Sequence, residues 1–578
     1  MLWRVATTGD SWHNSARYAQ PPSPGASGDL LEGLDLHSIA DERARELVKR
    51  LLNMLEDVMA DLRAAQAENQ RLRDEINRLK GEQGTPKLKP NTPPPPRQNH
   101  SSEQERRKPK AWSKGSKTTR IPIDREQVLP VDPDRLPPDA QFKGYEEVVG
   151  QDVIFHTDNV LFHKEKFYSP SQHMTYLASV PQGYSGQFGP GIKSLALVLY
   201  VGAQRSEPKV AELLRSVGVQ ISDGQVSNLL IKGQAPFHAE KDALYQAGLA
   251  SSPWQHLDDT STRVNGQNGY CHIVCNPLST AYVTTAAKDR LTVIDVLTNH
   301  RSRRFLVNAE ALSSVEVFGL SAVRRRQLEQ LPAGTMGDEA TMQALLEEHL
   351  PGLGPQQRKW ILDATAVAAY HAAEEFPVVR LLVCDDAPQF TLGTDELALC
   401  WVHEGRHYKK LVPYVPHHRA LVEDFVQRFW TYYDQLLAYR QQPTPEEAAR
   451  LDGEFAVVFS SVTGYRALDE RIAKTHAKKA CLLMVLVHPE IPLHNNPAEL
   501  GARARVRKRD VSFGPRTREG AKAWDTFMTL AVTATKLGVS FYHYIHDRVS
   551  GAYQMPALAD LIAARAKDLS LDISWNTS

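Results

Sequence analysis

Three acidic stretches carry the residues best suited to chemistry: Asp258-Asp259-Thr260, Asp385-Asp386 and Glu499. Magnesium is a hard ion. It takes oxygen ligands, commonly one or two carboxylates completed by water and phosphate oxygens. Two such ions a few ångströms apart activate the attacking oxygen of a phosphodiester and stabilise the leaving one. That chemistry calls for carboxylates gathered from distant parts of a chain. Behind Glu499 runs a cationic row, Arg503, Arg505, Arg507, Lys508 and Arg509. Its offsets wrap around a helix axis, so the row cannot lie on one face. Cations in such a row can grip phosphates without reading sequence. Each feature also has a plainer explanation. Asn496-Pro-Ala-Glu499 has the spacing of a capping box, where the glutamate only satisfies a backbone N–H. Asp258-Asp259 suits a solvated turn, Asp385-Asp386 suits a cap on the next element, and the arginines suit a solvated helix face.

The elements around these residues decide between the two sets of explanations. Trp254–Val264 reads as a strand, Asn265-Gly266-Gln267-Asn268-Gly269 as a turn, and Tyr270–Cys275 as a second strand. Asn276-Pro277-Leu278-Ser279 is a second turn before a third strand at Ala281–Thr285, which completes an antiparallel meander. Asp258 lies in its first strand. Val378–Cys384 is a short apolar run, typical of a buried parallel strand, and Asp385 stands at its carboxyl end, where open α/β sheets place ligands. Asn496 suits an N-cap and Pro497 the first helical position, which puts Glu499 third in a new helix. Meander, buried strand and late helix together are harder to obtain by chance than any one of them.

Elsewhere the chain reads as a series of regions. Its 578 residues exceed one ordinary core. Lys+Arg and Asp+Glu are both 68, a formal net charge of zero; this does not exclude a nucleic-acid partner, because charge acts locally. Residues 1–35 are rich in Ser, Gly and Pro and read as a disordered lead. Residues 36–82 carry two interleaved heptad rows, Val48, Leu55, Leu62, Asn69, Ile76 and Leu51, Val58, Ala65, Leu72, Leu79, offset as the a and d positions of a coiled coil. A single amphipathic helix packed on its own protein would carry the same stripe. Residues 83–120 form a proline-dense, basic linker. A small β unit is expected over 121–185, with strands at Val148–Phe155 and Val160–Tyr168. Helices follow over 186–250, and Pro208–Gly218 with Gly224–Ile231 suits a helix-turn-helix. Residues 251–550 hold the acidic sites, with helical insertions at about 310–375 and 410–485, and 551–578 read as a tail. The five cysteines form no CxxC pair and their number is odd, so a disulfide framework or zinc ribbon is not expected and a reducing cytoplasm fits. No apolar run is long enough to span a bilayer.

On particular motifs the chain resembles the transposases of the insertion sequence 66 family, a branch of the DDE transposases. The motifs are His256-Leu257-Asp258-Asp259-Thr260, Val383-Cys384-Asp385, the run from Cys400-Trp401-Val402-His403 to Tyr408, and Asn495-Asn496-Pro497-Ala498-Glu499 with its arginines and Ser512-Phe513-Gly514. The resemblance covers most of residues 40–550. It implies a multidomain α/β protein, in which a coiled coil and a small β/helical DNA-binding region precede a ribonuclease H-like catalytic core with helical insertions. It implies Asp258, Asp385 and Glu499 as catalytic residues and ligands of Mg2+ or Mn2+, with Arg503, Arg505, Arg507, Lys508 and Arg509 on DNA. The implied partners are double-stranded DNA at the terminal inverted repeats of a mobile element, a second copy of the chain through the coiled coil, and accessory proteins of the element. A membrane is not among them; the implied place is the bacterial cytoplasm, at the nucleoid. The cysteine-rich segment usual after the linker is missing, since residues 90–200 contain no cysteine. Two further readings use the same residues: a ribonuclease H-fold nuclease or domesticated recombinase, and a catalytically inactive coiled-coil DNA-binding protein.

Overall fold

The computed structural model describes residue 31 and residues 36–80, 121–184, 186–332 and 334–569. The chain divides into two compact units. One comprises Asn99–Val402 with Ile491–Ser578, the other Met1–Gln98 with His403–Glu490.

The first unit is built on a five-stranded mixed sheet. Its strands are β1 (Trp254–Val264), β2 (Gln267–Cys275), β3 (Thr280–Thr285), β4 (Leu381–Cys384) and β5 (Glu396–Leu399), in the order β3-β2-β1-β4-β5. The meander expected from the sequence is present, with β1–β2 and β2–β3 antiparallel. β4 is the expected buried parallel strand: Leu381, Leu382, Val383 and Cys384 are all buried, and it pairs parallel with both β1 and β5. β5 has no counterpart among the sequence expectations, because Glu396-Leu-Ala-Leu399 is too short to stand out from its surroundings.

Two helices cover one face of the meander. α1 (Asn496–Ser512) packs on β1 and β2, and α2 (Arg518–Lys536) packs on β3. α1 comes close enough that a Cβ on Gly501 would stand 2.7 Å from Ile273 Cγ2, so glycine is required there by space. Tyr282 Oη donates to Gly501 O at 3.3 Å across the same seam. α2 ties itself to the edge strand by side chains that replace a missing neighbour. Thr529 Oγ1 accepts from Tyr282 N at 3.0 Å, Thr533 Oγ1 from Thr280 N at 3.1 Å, and Asp525 Oδ2 from Thr284 N at 2.7 Å. This covers the β3 edge, which would otherwise offer unpaired backbone groups to another chain.

Between β3 and β4 lies the expected helical insertion. It includes Ala309–Val317, Ala322–Glu329, Glu339–His349 and Pro355–His371, with an antiparallel pair of short strands, Phe305–Val307 and Thr335–Gly337. Its apolar residues form a core of their own around Phe305, Val315, Leu346 and Ile361. Upstream, the helix pair Glu207–Ser216 and Asp223–Ile231 is present, turned at Gly218, whose φ is +94°. Ser222 and Gln225 close a capping box at the start of the second helix. The small β unit is reduced to one hairpin, Lys166–Ser169 with Met174–Leu177; the strand expected at Val148–Phe155 does not form, and of the one expected at Val160–Tyr168 only the end, from Lys166, is a strand. Val148, Val153, Ile154 and Leu161 are exposed, so nothing buries the alternation that suggested them. The supposed tail holds the helix Leu558–Asp568, which buries Leu558, Ile562 and Ala566 in the main core.

The second unit contains the long helix Glu42–Leu79, capped by Asp41. It is completed by the helices Pro416–Gln441, Pro445–Phe459, Arg466–His476 and Lys479–Leu482. The expected insertion at 410–485 thus belongs to a compact body together with the N-terminal helix. The first half of that helix docks along one side. Leu52 is buried with Val415, Glu56 accepts from Tyr414 N and Val415 N at 2.9 and 2.7 Å, and Asn53 Nδ2 donates to Gly464 O at 2.9 Å. Its other side leaves Leu51, Met54, Val58, Leu62, Leu72, Ile76 and Leu79 exposed. Asn69 Nδ2 donates back along its own helix, to Ala65 O at 3.0 Å. The basic linker residues Arg106 to Arg120 lie outside the described residues.

Candidate acidic site

β1 and β4 run parallel with Trp254 opposite Leu381, Gln255 opposite Leu382 and His256 opposite Val383. Asp385 is the first residue after β4, and the register, continued two residues, points it towards the level of Asp258 on the neighbouring strand. Asp258 shares its face with His256, two residues back.

That face is where α1 begins. Asn495, fully buried, stands just before the helix. Its side chain makes no capping bond; it turns into the sheet instead. Asn495 Oδ1 meets His256 Nδ1 at 3.0 Å, Asn495 Nδ2 donates to Leu257 O at 2.8 Å, and Asn495 N donates to Cys400 Sγ at 3.3 Å. Trp401 N adds a bond to Leu493 O at 3.0 Å. The helix start is thereby pinned to β1, immediately beside the level of Asp258. Burial pushes the His256 imidazole down to about 3, with the nearby His494 acting in the same direction, so His256 is neutral and serves as a fixed post. The cap is Asn495, one residue earlier than the sequence suggests, and Glu499 is the fourth helical residue. No capping box forms, because the cap side chain is engaged with the sheet; the plainer explanation of Glu499 is thereby removed.

The electrostatics tie the three carboxylates together. The Asp258 carboxyl is pushed up to about 7, first by burial, then by the negative charge of Asp385 and, further down, of Glu499. A bond from Asp259 N to Asp258 Oδ1 at 2.8 Å works the other way but does not prevail. Asp258 is thus a buried acid whose ionisation is opposed by two neighbouring carboxylates. A divalent cation would relieve it, and oxygen-only ligands suit a hard ion. Arg503 reaches Glu499 Oε2 at 3.6 Å, with a side chain that is 60% exposed.

The neighbouring aspartate has a different task. Asp259 points to the opposite face, where Lys288 Nζ lies 3.1 Å from Oδ1 and Gln389 Nε2 donates to Oδ2 at 2.9 Å. It braces β1 against the segment that follows Asp385. Asp385 itself accepts from Ala387 N at 3.2 Å.

The cationic row divides. Arg503 and Arg507 are exposed and Arg509 is half-buried. Arg505 and Lys508, each 1% exposed, are corrected from phosphate contacts to structural residues. Arg505 lies 3.1 Å from Asp525 Oδ1, donates to Thr284 Oγ1 at 2.8 Å, and stacks over Trp524. Lys508 Nζ donates to Tyr200 O at 2.6 Å and Arg205 O at 2.9 Å, over the Tyr200 ring, and burial draws its amine down to about 7. Arg509 donates to Ser261 O. In the helix pair upstream, Lys209 is paired with Glu212 at 2.6 Å and Arg215 with Asp223 at 2.6 Å, so those cations are balanced locally.

Sequence reasoning assigns no roles to His256 and Asn495. Both sit in the motifs that single out Asp258 and Glu499, and a buried histidine two residues before a strand aspartate is the signal that points to them. The Cys400-to-Tyr408 run continues into the second unit, where Glu404 is buried with Arg471 and, at 3.2 Å, Lys478.

No protein-family model matches the chain. It is similar to the uncharacterized protein y4jO of Sinorhizobium fredii (strain NBRC 101917 / NGR234). The two are 34% identical over 340 residues, which is 56% of this chain and 100% of that protein. Among the described residues, no helix is long and apolar enough to cross a membrane.

Proposed function

Starting from the fact that this chain belongs to the same family as the Sinorhizobium fredii protein y4jO, we propose that it is a DNA transposase of the DDE type. It would cut and join DNA at the ends of a mobile element, with Asp258, Asp385 and Glu499 as its acidic triad. One observation carries the reading: Asp385 directly follows the strand that pairs parallel with the strand of Asp258, and both Asp385 and Glu499 raise the Asp258 carboxyl. The sheet supports a ribonuclease H-like core, since an antiparallel meander is extended by parallel strands from its first strand and covered by the late helix that bears the glutamate.

The residues present fit Mg2+ or Mn2+, and Asp258, Asp385 and Glu499 would hold it. When bound, such ions activate the attacking oxygen and stabilise the leaving oxygen of a phosphodiester. The chain's own contribution is placement. His256 and Asn495 fix the height of α1 against β1, Asp259 fixes the turn after β4, and Arg503 and Arg507 offer cations to phosphates passing the site. Double-stranded DNA carrying terminal inverted repeats is the substrate. A second copy of the chain holds the two ends together, pairing along the exposed stripe of the long helix that runs from Val58 through Leu72, Ile76 and Leu79. Sedimentation of a Leu72→Lys plus Leu79→Lys variant at the wild-type rate would contradict that pairing.

The test is cleavage of a duplex bearing the element's own ends, with and without Mn2+. Metal-dependent nicking at the repeat, followed by joining to target DNA and lost in Asp385→Asn, is expected. Cleavage without joining would move the reading to a nuclease. A wild-type protein that binds these ends and never cuts them would leave a DNA-binding protein without catalysis.

A further inference from the structure

A second group of ligating side chains lies in the first unit, in the insertion and at the edge of the sheet. Glu310 is near the start of the helix Ala309–Val317, His371 is the last residue of the helix Pro355–His371, and Asp395 immediately precedes β5. One ligating atom from each falls within 4.8 Å of the other two. The His371 side chain is only 7% exposed, while those of Glu310 and Asp395 are 40% and 42% exposed. A buried nitrogen is thus met by two carboxylates that reach it from the solvent side.

The imidazole is oriented from outside the group. His371 Nε2 lies 3.4 Å from Gly393 O. A carbonyl can only accept, so in this contact Nε2 is the donor wherever it carries the hydrogen. The other nitrogen, Nδ1, faces Glu310 Oε1 and, at 3.3 Å, Asp395 Oδ1. In the neutral ring, Nδ1 is then a lone pair turned towards two anions. A positive centre shared by the three atoms would relieve that arrangement. A second ring proton can serve one carboxylate well, but it cannot be shared evenly between two; a metal ion can. A ligating histidine that donates its remote N–H to a backbone carbonyl is the usual support for such an ion. Asp395 is also steadied on its far side, where Arg380 Nη1 lies 3.0 Å from Oδ2 and leaves Oδ1 for the inner contact.

We infer that Glu310, His371 and Asp395 form a divalent transition-metal site, with zinc as its preferred occupant, that clamps the helical insertion to the β5 edge of the sheet. One imidazole nitrogen and two carboxylate oxygens favour zinc over magnesium, which prefers oxygen alone. The exposure of the two carboxylates leaves room for water at a further position. The site shares no residue with Asp258, Asp385 or Glu499, and it stands whether or not the chain is a transposase.

Zinc bound per chain is measured on the full-length protein by competition with a chromophoric chelator. To keep the acidic triad from contributing, the measurement is made in the Asp385→Asn background. About one equivalent of tightly held zinc is expected there. His371→Ala and, separately, Glu310→Gln should each weaken it by at least about tenfold, since losing even a group that only supports a ligand costs about that much. Glu310→Gln is the milder change and guards against misfolding of the histidine variant. Cobalt(II) loaded in place of zinc should show ligand-field bands that His371→Ala abolishes. Unchanged zinc affinity in Glu310→Gln and His371→Ala, or no zinc held by the Asp385→Asn protein, would overturn the site and leave His371 as an imidazolium paired with two acids.

Discussion

The two faces of α1 carry the same kinds of residue and do opposite things. Facing inward are Glu499, Gly501, Arg505 and Lys508; facing outward are Leu500, Arg503, Arg507 and Asp510. The inner cations are spent on the fold. Arg505 answers a buried aspartate on α2, and Lys508 ties α1 to the backbone of the segment around Tyr200. The inner anion, Glu499, instead adds to an excess of negative charge beside Asp258. Within one helix, then, buried positive charge is matched to nearby acceptors, while Glu499, met by Arg503 from the exposed face, also lies near a second buried acid. Structure alone rewards the first arrangement and penalises the second, which is what the site proposed above would require.

The largest effect that would sharpen this contrast is on catalysis. Glu499→Gln keeps shape and volume and removes one charge from the triad. Loss of cleavage by on the order of 10³-fold or more is expected, as for other members of a catalytic unit that acts together. Melting should hold steady or rise, because a buried charge has been removed. A Glu499→Gln protein that cuts at the wild-type rate would dissolve the distinction between the inner anion and the inner cations.

Next in size is the reverse experiment on an inner cation. Arg505→Ala leaves Asp525 buried, with its carboxyl raised by burial and no longer drawn down by the guanidinium. Breaking a buried pair from one side costs about 3–5 kcal/mol. Denaturant titration should show that loss, and Arg505→Ala plus Asp525→Ala should cost less than the two single changes combined. Arg507→Ala, on the outer face, should stay within about 0.5 kcal/mol of wild type.

These assignments show what sequence can and cannot reveal. The meander, the buried strand and the late helix are legible because alternation, an unbroken apolar run and Asn-Pro at a helix start are local signals. The strand β5 is not, since four residues give no period. The meeting of Asp258 with Asp385 depends on the register between strands far apart in the chain, which no local pattern encodes; the motifs of a known family suggest it, and the pairing at His256 and Val383 supplies its geometry. The division of the arginine row is half legible. Helical offsets show that the cations must separate, but which ones turn inward depends on where Asp525 and Tyr200 arrive from other elements. The 310–375 insertion is legible as helical, while the clustering of Glu310, His371 and Asp395 comes from three separate elements and leaves no trace in spacing.

A smaller effect lies in pH. Asp258 has a folded value of about 7 against an ordinary 3.8. Below the ordinary value the group is protonated in both folded and unfolded chains, and its contribution to stability is complete. As pH rises through about 7 the folded protein must ionise a buried, crowded carboxyl, and that contribution is lost. The metal-free protein should therefore lose stability between about pH 4 and 7, and Asp258→Asn should flatten that decline. Magnesium or manganese competes with the same proton, so the added stability from the ion should grow with pH up to about 7 and level off above it. Thermal melts across pH, with and without the ion, read both trends. An Asp258→Asn protein with the wild-type pH profile would show that the acidic face of α1 and β1 is not the source.

The smallest effect concerns the outer face itself. Arg503 and Arg507 are one helical turn apart and exposed, with Arg503 also within 3.6 Å of Glu499. A DNA strand whose phosphate lies at the acidic triad would pass within reach of both. Each phosphate contact contributes roughly one unit to the slope of log affinity against log salt concentration. Arg503→Ala plus Arg507→Ala should therefore lower that slope by up to about two, and weaken binding to repeat and random duplexes by similar factors, because phosphates carry no sequence information. Folding should be untouched, in contrast with Arg505→Ala. If the double variant kept the wild-type salt slope, the outer face would be a solvated surface with no part in binding. If instead it lost affinity for the repeat and not for random DNA, the two arginines would be reading bases, and the helix would have to lie in a groove with its outer face towards the duplex.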